Sequence, residues 1–331
     1  DSPFMTQPLT PKHSLPPLGC GTWAWGNRLL WDYQESMDSE LNAIFNHCVS
    51  KGITLFDSGD SYGTGKLSGQ SEKLLGQFSQ AYEGPHKADI CLATKLAPYP
   101  WRLTKQSMIA AGKASAQRLG RLDLVQMHWS TANYLPFQEG PLLDGLAALC
   151  NQGLASGVGL SNYGPKRLRW AYKRLSQQGI KIKTLQVQYS LLATYPVTEL
   201  DLKRRCDELD IQRISYSPLA LGLLTGKYTQ ISDLPKGLRR FALGQILPGV
   251  SPLLGTLKAM AKEREKTMAQ ISLNWCICKG TIPIPGAKTL EQAQQNTGAL
   301  GWSLTEAEIT ELDAASAKCT KQMVQNIFQS R

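Results

Sequence analysis

The sequence predicts an α/β protein of one domain, a (β/α)8 barrel of the TIM type. Three observations carry that reading. After Gly19, short apolar runs alternate with amphipathic stretches eight times in about 280 residues, which is the pattern of a parallel sheet with helical crossovers and the size of such a barrel. No strand-like run leads into the G-x-G-x-x-G turn of a doubly wound dinucleotide fold; Gly19-Cys20-Gly21 lacks the third glycine and opens into tryptophans. Polar residues gather at the same end of every run, the end at which barrels of this kind build their sites.

The first strand spans 18–22 and leads through a Trp-rich loop to a helix over 38–50. Lys51-Gly52 makes the turn into the second strand, 54–56, whose helix covers 70–78. The third strand, 90–94, precedes a helix over 105–119, and the fourth, 122–127, one over 142–152. The fifth strand, 155–160, precedes a helix over 166–177, and the sixth, 185–189, one over 197–209. The seventh strand is 212–216, and the eighth, 281–284, precedes a helix over 290–299. Two segments exceed the repeat. A loop over 217–251 is rich in Gly, Leu and Pro, and loops of that length are usually functional. A further helix over 303–317, capped by Ser303 with Thr305-Glu306 behind it, is followed by a tail to Arg331.

Bulk properties narrow the function classes. A hydrophobic fraction of 42% with 19% charged residues fits an ordinary soluble enzyme. No apolar run reaches the length of a membrane span. The net charge of +10 is scattered, with clusters no denser than Lys166-Arg167-Leu168-Arg169, Lys203-Arg204-Arg205 and Arg239-Arg240. That argues against a nucleic-acid partner and for helix-face solvation or a phosphorylated cofactor. The eight cysteines and four histidines show no metal-ligand spacing, so no metal is expected. The cysteines read as small buried hydrophobes in a reducing compartment. The four residues before Met5 read as a cloning remnant, which places the domain at 5–331. A cytoplasmic location is expected, or the plastid stroma once a transit peptide has been removed. Nothing in the sequence points to an obligate protein partner.

The chemistry sits at the strand ends. The second strand stops at Asp57, with Tyr62 on the loop beyond; the third ends in Lys95; the fourth ends in His128-Trp129. A lone Lys after a strand is ordinarily a solvated flank. Asp, Tyr, Lys and His on consecutive strands are a pattern, because converging at one mouth they make a tuned phenol. A phenol titrates near 10, and a cationic Lys95 within reach would lower that value. Asp57 would keep Lys95 charged and placed, and His128 could hold a substrate oxygen. Such a phenol suits protonation of an alkoxide-like oxygen near neutral pH.

With these residues in hand, the chain resembles the aldo-keto reductases over almost its whole length. The resemblance rests on the stretch from Leu55-Phe56-Asp57 to Ser61-Tyr62-Gly63, Ala93-Thr94-Lys95, the His128 strand end and Gly159-Leu160-Ser161-Asn162-Tyr163. It extends to Ser215-Tyr216-Ser217-Pro218-Leu219, Gly222-Leu223-Leu224-Thr225-Gly226-Lys227-Tyr228 and Ile284-Pro285-Gly286-Ala287-Lys288. It implies hydride transfer from NADPH to an aldehyde or ketone without metal, with Tyr62 as general acid, Lys95 and Asp57 as its tuning pair, and His128 orienting the carbonyl. It also implies a cofactor site. Ser161, Asn162 and Gln186 would bind the nicotinamide amide, and Tyr216 would stack on its ring. Ser217, Leu219, Gly222 and Lys227 would follow the pyrophosphate, and Lys288, Gln292 and Asn296 would hold the adenosine end. Thr22, Trp23, Asp57, Pro285 and Gly286 complete that set. The chain departs from many relatives at Gln292, where they carry an Arg against the 2′-phosphate, so Lys288 is left to make that contact.

A closer likeness is to the pyridoxal reductase-like branch of plant plastids and cyanobacteria. It rests on Gly21-Thr22-Trp23-Ala24-Trp25-Gly26-Asn27, Tyr99-Pro100-Trp101-Arg102-Leu103, His128-Trp129-Ser130-Thr131 and Gln325-Asn326-Ile327-Phe328-Gln329. Trp25, Trp31, Trp101 and Trp129 are therefore expected as walls for a flat ring substrate, beside Tyr62 and His128. The tail is expected to turn toward the mouth, burying Ile327 and Phe328, with Phe328 in the substrate wall and no part in cofactor binding. Two other readings compete: a broad scavenger of reactive carbonyls, and a weakly catalytic sensor subunit that keeps the cofactor site.

Overall fold

The computed structural model describes residues 15–63 and 65–331; the reading of the first four residues and of Met5 lies outside them. Eight parallel strands follow one another around the sheet in chain order. They are β1 (Gly19–Gly21), β2 (Leu55–Asp57), β3 (Cys91–Leu96), β4 (Leu124–Met127), β5 (Gly157–Ser161), β6 (Ile182–Gln188), β7 (Gln212–Tyr216) and β8 (Thr281–Pro283). A bridge between Gly21 and Gly286, with Gly21 N donating to Pro285 O at 3.1 Å, draws the two ends of the sheet together. Both glycines lie where β1 and β8 converge, and a Cβ on Gly21 would strike the Ile284 carbonyl at 2.8 Å. The (β/α)8 barrel expected from the alternation is therefore present. Among the described residues no helix is long and apolar enough to cross a membrane.

The register positions the site. Asp57 pairs with Ala93, Lys95 with Gln126, Gln126 with Gly159, and Ser161 with Gln186. Asp57, Lys95, Gln126 and Gln186 thus come from the same end of β2, β3, β4 and β6, and their side chains meet inside that end of the barrel. Below them the interior is apolar, with Leu55, Ala93, Leu124, Ile214 and Ile282 packed together. Outside, the helices seal against the strands. Phe45, from the helix Asp38–Ser50, stacks on Phe56 at 4.4 Å between centroids. Burying each such ring contributes about 1.5–3 kcal/mol.

Several elements differ from the reading of the sequence. The helix expected over 142–152 begins six residues earlier, as Pro136–Asn151 with Pro at its first turn, and runs through Pro141. Pro136 fits the first turn, where a missing N–H forfeits nothing. Pro141 does forfeit an intrahelical bond, and the burial of Leu142, Leu143, Leu146 and Leu149 along the same helix offsets that loss. The helix expected over 197–209 is two pieces, Tyr195–Thr198 and Leu202–Glu208, separated where Asp201 takes a left-handed φ of 52°. The loop after β7 is not bare: it holds the helix Leu238–Gly244, flanked by single 3-10 turns.

The last helix is Glu306–Lys318, and its cap is Thr305, not Ser303. Thr305 Oγ1 accepts from Glu308 N at 3.2 Å while Glu308 Oε1 accepts from Thr305 N at 2.9 Å. That spacing of three closes the reciprocal box, which Ser303 is too far upstream to do. Glu308 also binds Arg264, and that ion pair leads the causes that hold its carboxyl down at about 2. A depressed folded pKa adds stability that is complete above the unfolded value of about 4.3 and is lost as pH falls through about 2. Glu308→Gln should thus cost about 0.5–1 kcal/mol at pH 7, after allowance for solvent screening. The difference from wild type should vanish toward pH 2, as read by denaturant melts at each pH. A gap that persists at low pH would assign the loss to packing.

Candidate active site

The floor of the site is a closed hydrogen-bond cluster. Lys95 Nζ binds Asp57 Oδ2 directly, with both side chains about 2% exposed. The other carboxylate oxygen, Asp57 Oδ1, accepts from Gln126 Nε2 at 2.9 Å and from Gln186 Nε2 at 3.0 Å. The two amides also bond to each other at 3.1 Å. A buried carboxylate needs this many donors, and a buried ammonium needs that carboxylate. Tyr62 lies above the ammonium, which stands 4.8 Å from its ring centroid. The Tyr62 and His128 rings meet edge to face at 6.1 Å. The four residues singled out by type are thus brought together. Gln126 was missed in the sequence, because a Gln inside an apolar strand reads as ordinary until the register sets it beside Asp57.

Protonation states follow from burial and charge. Burial pulls the Lys95 pKa down, but Asp57 and then Tyr62 hold it above the usual lysine range. His128 is pushed well below the ordinary imidazole value by burial and by Lys95, so it is neutral at physiological pH. Its Nδ1 is buried without a partner among the described residues. The phenol differs from expectation. Burial raises the Tyr62 pKa, Lys95 pulls it down, Asp57 pushes it up again, and the net shift is upward. Lys95 therefore does not bring the phenol below its normal range in this state, because burial outweighs its pull and Asp57 adds to the rise. The consequence is a firmly protonated Tyr62, the form a proton donor needs.

Above this floor opens a cleft of about 650 Å³, the size range of small-molecule and cofactor sites. Every residue assigned to the cofactor lines it, from Thr22 and Trp23 through Ser161, Asn162, Gln186, Tyr216 and Ser217 to Lys288, Gln292 and Asn296. Thr22 Oγ1 donates to Asp57 O at 2.9 Å, tying β1 to the floor. Asn162 and Ser217 hold left-handed φ angles of 62° and 50°. Non-glycine residues keep such angles where surrounding structure enforces them, and they cluster at functional sites.

The far end of the cleft is cationic. Lys227, Arg239 and Lys288 line it, and among the described residues none of the three forms an ion pair with a carboxylate. Arg239 and Lys288 both lie over the Trp31 indole, 4.3 Å and 5.6 Å from its ring centroid. Arg239 Nε and Trp31 Nε1 are buried donors without partners among the described residues. Burial, Arg239 and Lys227 in that order pull the Lys288 pKa down. Gln292 Oε1 accepts from Lys288 N at 2.8 Å and so fixes that turn. Crowded cations with orphaned buried donors suit an anion, and the phosphates of NADPH fit that end of the cleft in charge. Arg239 read in the sequence only as part of a surface basic cluster; the loop after β7 folds it inward, which no local pattern announces. Among the described residues no group of His, Cys, Asp and Glu could hold a metal.

The substrate side corrects two expectations. Trp25 is only 1% exposed; its Nε1 donates to Ala287 O at 3.2 Å and its ring packs against Phe78, so it belongs to the core. Trp101 is 71% exposed and stacks on Tyr99 at 4.5 Å, outside the cleft lining. Trp31 and Trp129 do line the cleft. The tail turns to the mouth as expected: Phe328 stacks on Trp129 at 4.1 Å. Ile327, expected to be buried, is 87% exposed: it sits in the turn that Gln329 N closes on Asn326 O at 2.9 Å, while the next residue, Phe328, faces Trp129. The tail also does what the sequence did not announce. Asn326 Nδ2 donates to Tyr216 OH at 3.1 Å and Ser330 N to Asn162 O at 2.9 Å, both on the cofactor side.

Comparison with known proteins agrees with this fold. Residues 17–317 match the aldo/keto reductase family. A chloroplastic pyridoxal reductase of Arabidopsis thaliana is 51% identical over 323 residues, covering 96% of this chain and 88% of the relative. An L-glyceraldehyde 3-phosphate reductase of Escherichia coli strain K12 is 27% identical, covering 90% of this chain and 88% of the relative. Among solved structures, a glycerol dehydrogenase of Gluconobacter oxydans superposes with a TM-score of 0.78 at 21% identity, covering 96% of both chains. An aldo/keto reductase of Klebsiella pneumoniae, solved with NADP and acetate, superposes at 0.71 with 23% identity, covering 94% of this chain and 95% of its own.

Proposed function

The chain belongs to the aldo/keto reductase family, and from that premise we propose that it reduces pyridoxal to pyridoxine with NADPH, using Tyr62 as the proton donor. As a member it is an NADP-dependent oxidoreductase; the substrate and the residue roles are our reading. The observation that carries it is the buried Asp57–Lys95 pair beneath a protonated Tyr62 and a neutral His128. Held along the cleft, NADPH would supply the hydride for the carbonyl carbon. His128, neutral, can donate an N–H to the carbonyl oxygen and hold it toward the phenol. As negative charge gathers on that oxygen, Tyr62 gives up its proton and the alcohol forms. Lys95 stabilises the phenolate left behind, and Asp57 holds the ammonium in place with its own charge satisfied by Gln126 and Gln186. Hydride and proton together account for the two hydrogens gained. The stacked Trp129–Phe328 pair offers a flat wall for an aromatic aldehyde. The relative at 51% identity is named a pyridoxal reductase, and its chloroplastic name supports a plastid stroma for this chain beside the cytoplasm.

The test is steady-state oxidation of NADPH with pyridoxal, methylglyoxal and 4-nitrobenzaldehyde. Pyridoxal should show a kcat/KM at least about tenfold above methylglyoxal, which cannot stack. Equal values across the three would make the protein a broad carbonyl scavenger. No turnover of any aldehyde, with NADPH still bound, would make it a sensor.

A further inference from the structure

The tail reaches both halves of the cleft. Asn326 Nδ2 donates to Tyr216 OH at 3.1 Å, and Tyr216 OH donates on to Asn162 Oδ1 at 2.7 Å. Asn162 Nδ2 then donates to the carbonyl of His128 at 3.1 Å. A second arm lands on the same asparagine: Ser330 N donates to Asn162 O at 2.9 Å, and Ser330 Oγ accepts from Gly164 N at 2.9 Å. A Cβ on Gly164 would overlap the Ser330 carbonyl, so this landing is shaped for glycine. Between the arms, Phe328 stacks on Trp129, the residue after His128. Asn326 Oδ1 accepts from Phe328 N at 2.9 Å and sets the turn that presents the ring.

We propose that Asn326 is a positioning residue for hydride transfer: through Tyr216 and Asn162 it fixes the surface against which the nicotinamide lies, while the turn it closes fixes the Phe328 wall for the substrate. This rests on the cofactor roles proposed for Tyr216 and Asn162. The reason is geometric. The phenol of Tyr216 can rotate about its C–O bond, and Asn162 sits in a left-handed conformation that few residues hold unaided. A donor on the far side of the hydroxyl leaves Tyr216 one hydrogen to give, and directs it to Asn162. Asn162 is then held by its side chain and by its carbonyl, from two points on one segment of chain. The tail therefore registers cofactor and carbonyl to each other, which is the arrangement hydride transfer needs.

Asn326→Asp tests this directly. The oxygen that receives Phe328 N is kept, but the donor to Tyr216 is lost, and a carboxylate would take the Tyr216 hydrogen away from Asn162. NADPH Kd should rise about two- to tenfold, the range of one hydrogen bond, and kcat should fall by a similar factor, with KM for pyridoxal within twofold. Phe328→Ala should show the opposite split, a raised KM with NADPH Kd within twofold. Tyr216→Phe should reproduce the Asn326→Asp losses, and adding Asn326→Asp to it should do nothing further, since both act through one hydroxyl. Additive losses in that double variant, or wild-type constants for Asn326→Asp, would overturn the proposal. If Asn326→Asp does not fold, Tyr216→Phe decides alone, because wild-type NADPH affinity and kcat in that variant exclude the chain of hydrogen bonds. A wild-type protein that binds no NADPH would instead overturn the function on which the inference rests.

Discussion

Tyr62→Phe should lower kcat for aldehyde reduction by about 10²–10⁴-fold while leaving NADPH affinity within twofold, the loss expected when a general acid is removed. Among the described residues only one group at that point can give a proton. Lys95 cannot, because Asp57 grips its ammonium and both are sealed beneath the ring. His128 cannot, because burial and the Lys95 charge keep it neutral, so it offers a hydrogen bond but no acidic proton. Tyr62 remains, protonated and facing His128 at 6.1 Å between ring centroids. Removing its hydroxyl leaves the ring, its packing and the cleft unchanged, so the melting temperature should hold. Stopped-flow with NADPH and pyridoxal separates the chemical step from cofactor binding. A variant that keeps more than half the wild-type rate would show that another group is the acid.

How much of this was legible in the sequence depends on the range over which each signal acts. The strands and barrel closure were readable because period and turn chemistry are local. Asp57, Tyr62, Lys95 and His128 were readable because each lies at or just past a strand end, and strand ends in a parallel barrel converge by topology. Gln126 differs instructively. It lies inside a strand, and only the register sets it beside Asp57 as a donor to the carboxylate; Gln186, named in the sequence for the cofactor, donates to the same oxygen. The sign of the Tyr62 shift was misread for a related reason. Lys95 does pull the phenol down, but burial, which only the folded packing sets, raises it by more. Trp25, Trp31, Trp101 and Trp129 sit in similar loop contexts yet meet different fates, one in the core, two in the cleft and one at the surface. Loop side chains are placed by long-range contacts, and no spacing rule encodes those.

Arg239 and Lys288 should both be required for the preference for NADPH over NADH. A charge-assisted hydrogen bond to phosphate contributes about 1.5–3 kcal/mol, roughly ten- to a hundredfold in affinity. Lys288→Ala and Arg239→Ala should each weaken NADPH by that factor and leave NADH within twofold. Gln292 stands where the family resemblance implies an arginine, and the loop after β7 brings the Arg239 guanidinium to the cleft, packed on Trp31. Lys288, which the sequence left to make that contact alone, has Arg239 beside it at the same indole, and the prediction is that both reach the phosphate. The unliganded site also makes a sign prediction. Lys227 and Arg239 both depress the Lys288 pKa, so these cations repel one another when no anion is bound. Deleting one should therefore leave the melting temperature of the free protein unchanged or raise it, while the rise on adding NADPH shrinks. NADPH affinity should fall with added salt more steeply in wild type than in either variant, since fewer charges remain to be screened. A fall in the free protein's melting temperature, with equal losses for NADPH and NADH, would make these residues structural supports of the loop. Losses confined to NADPH, with the free protein intact, would make them the ligands of its extra phosphate.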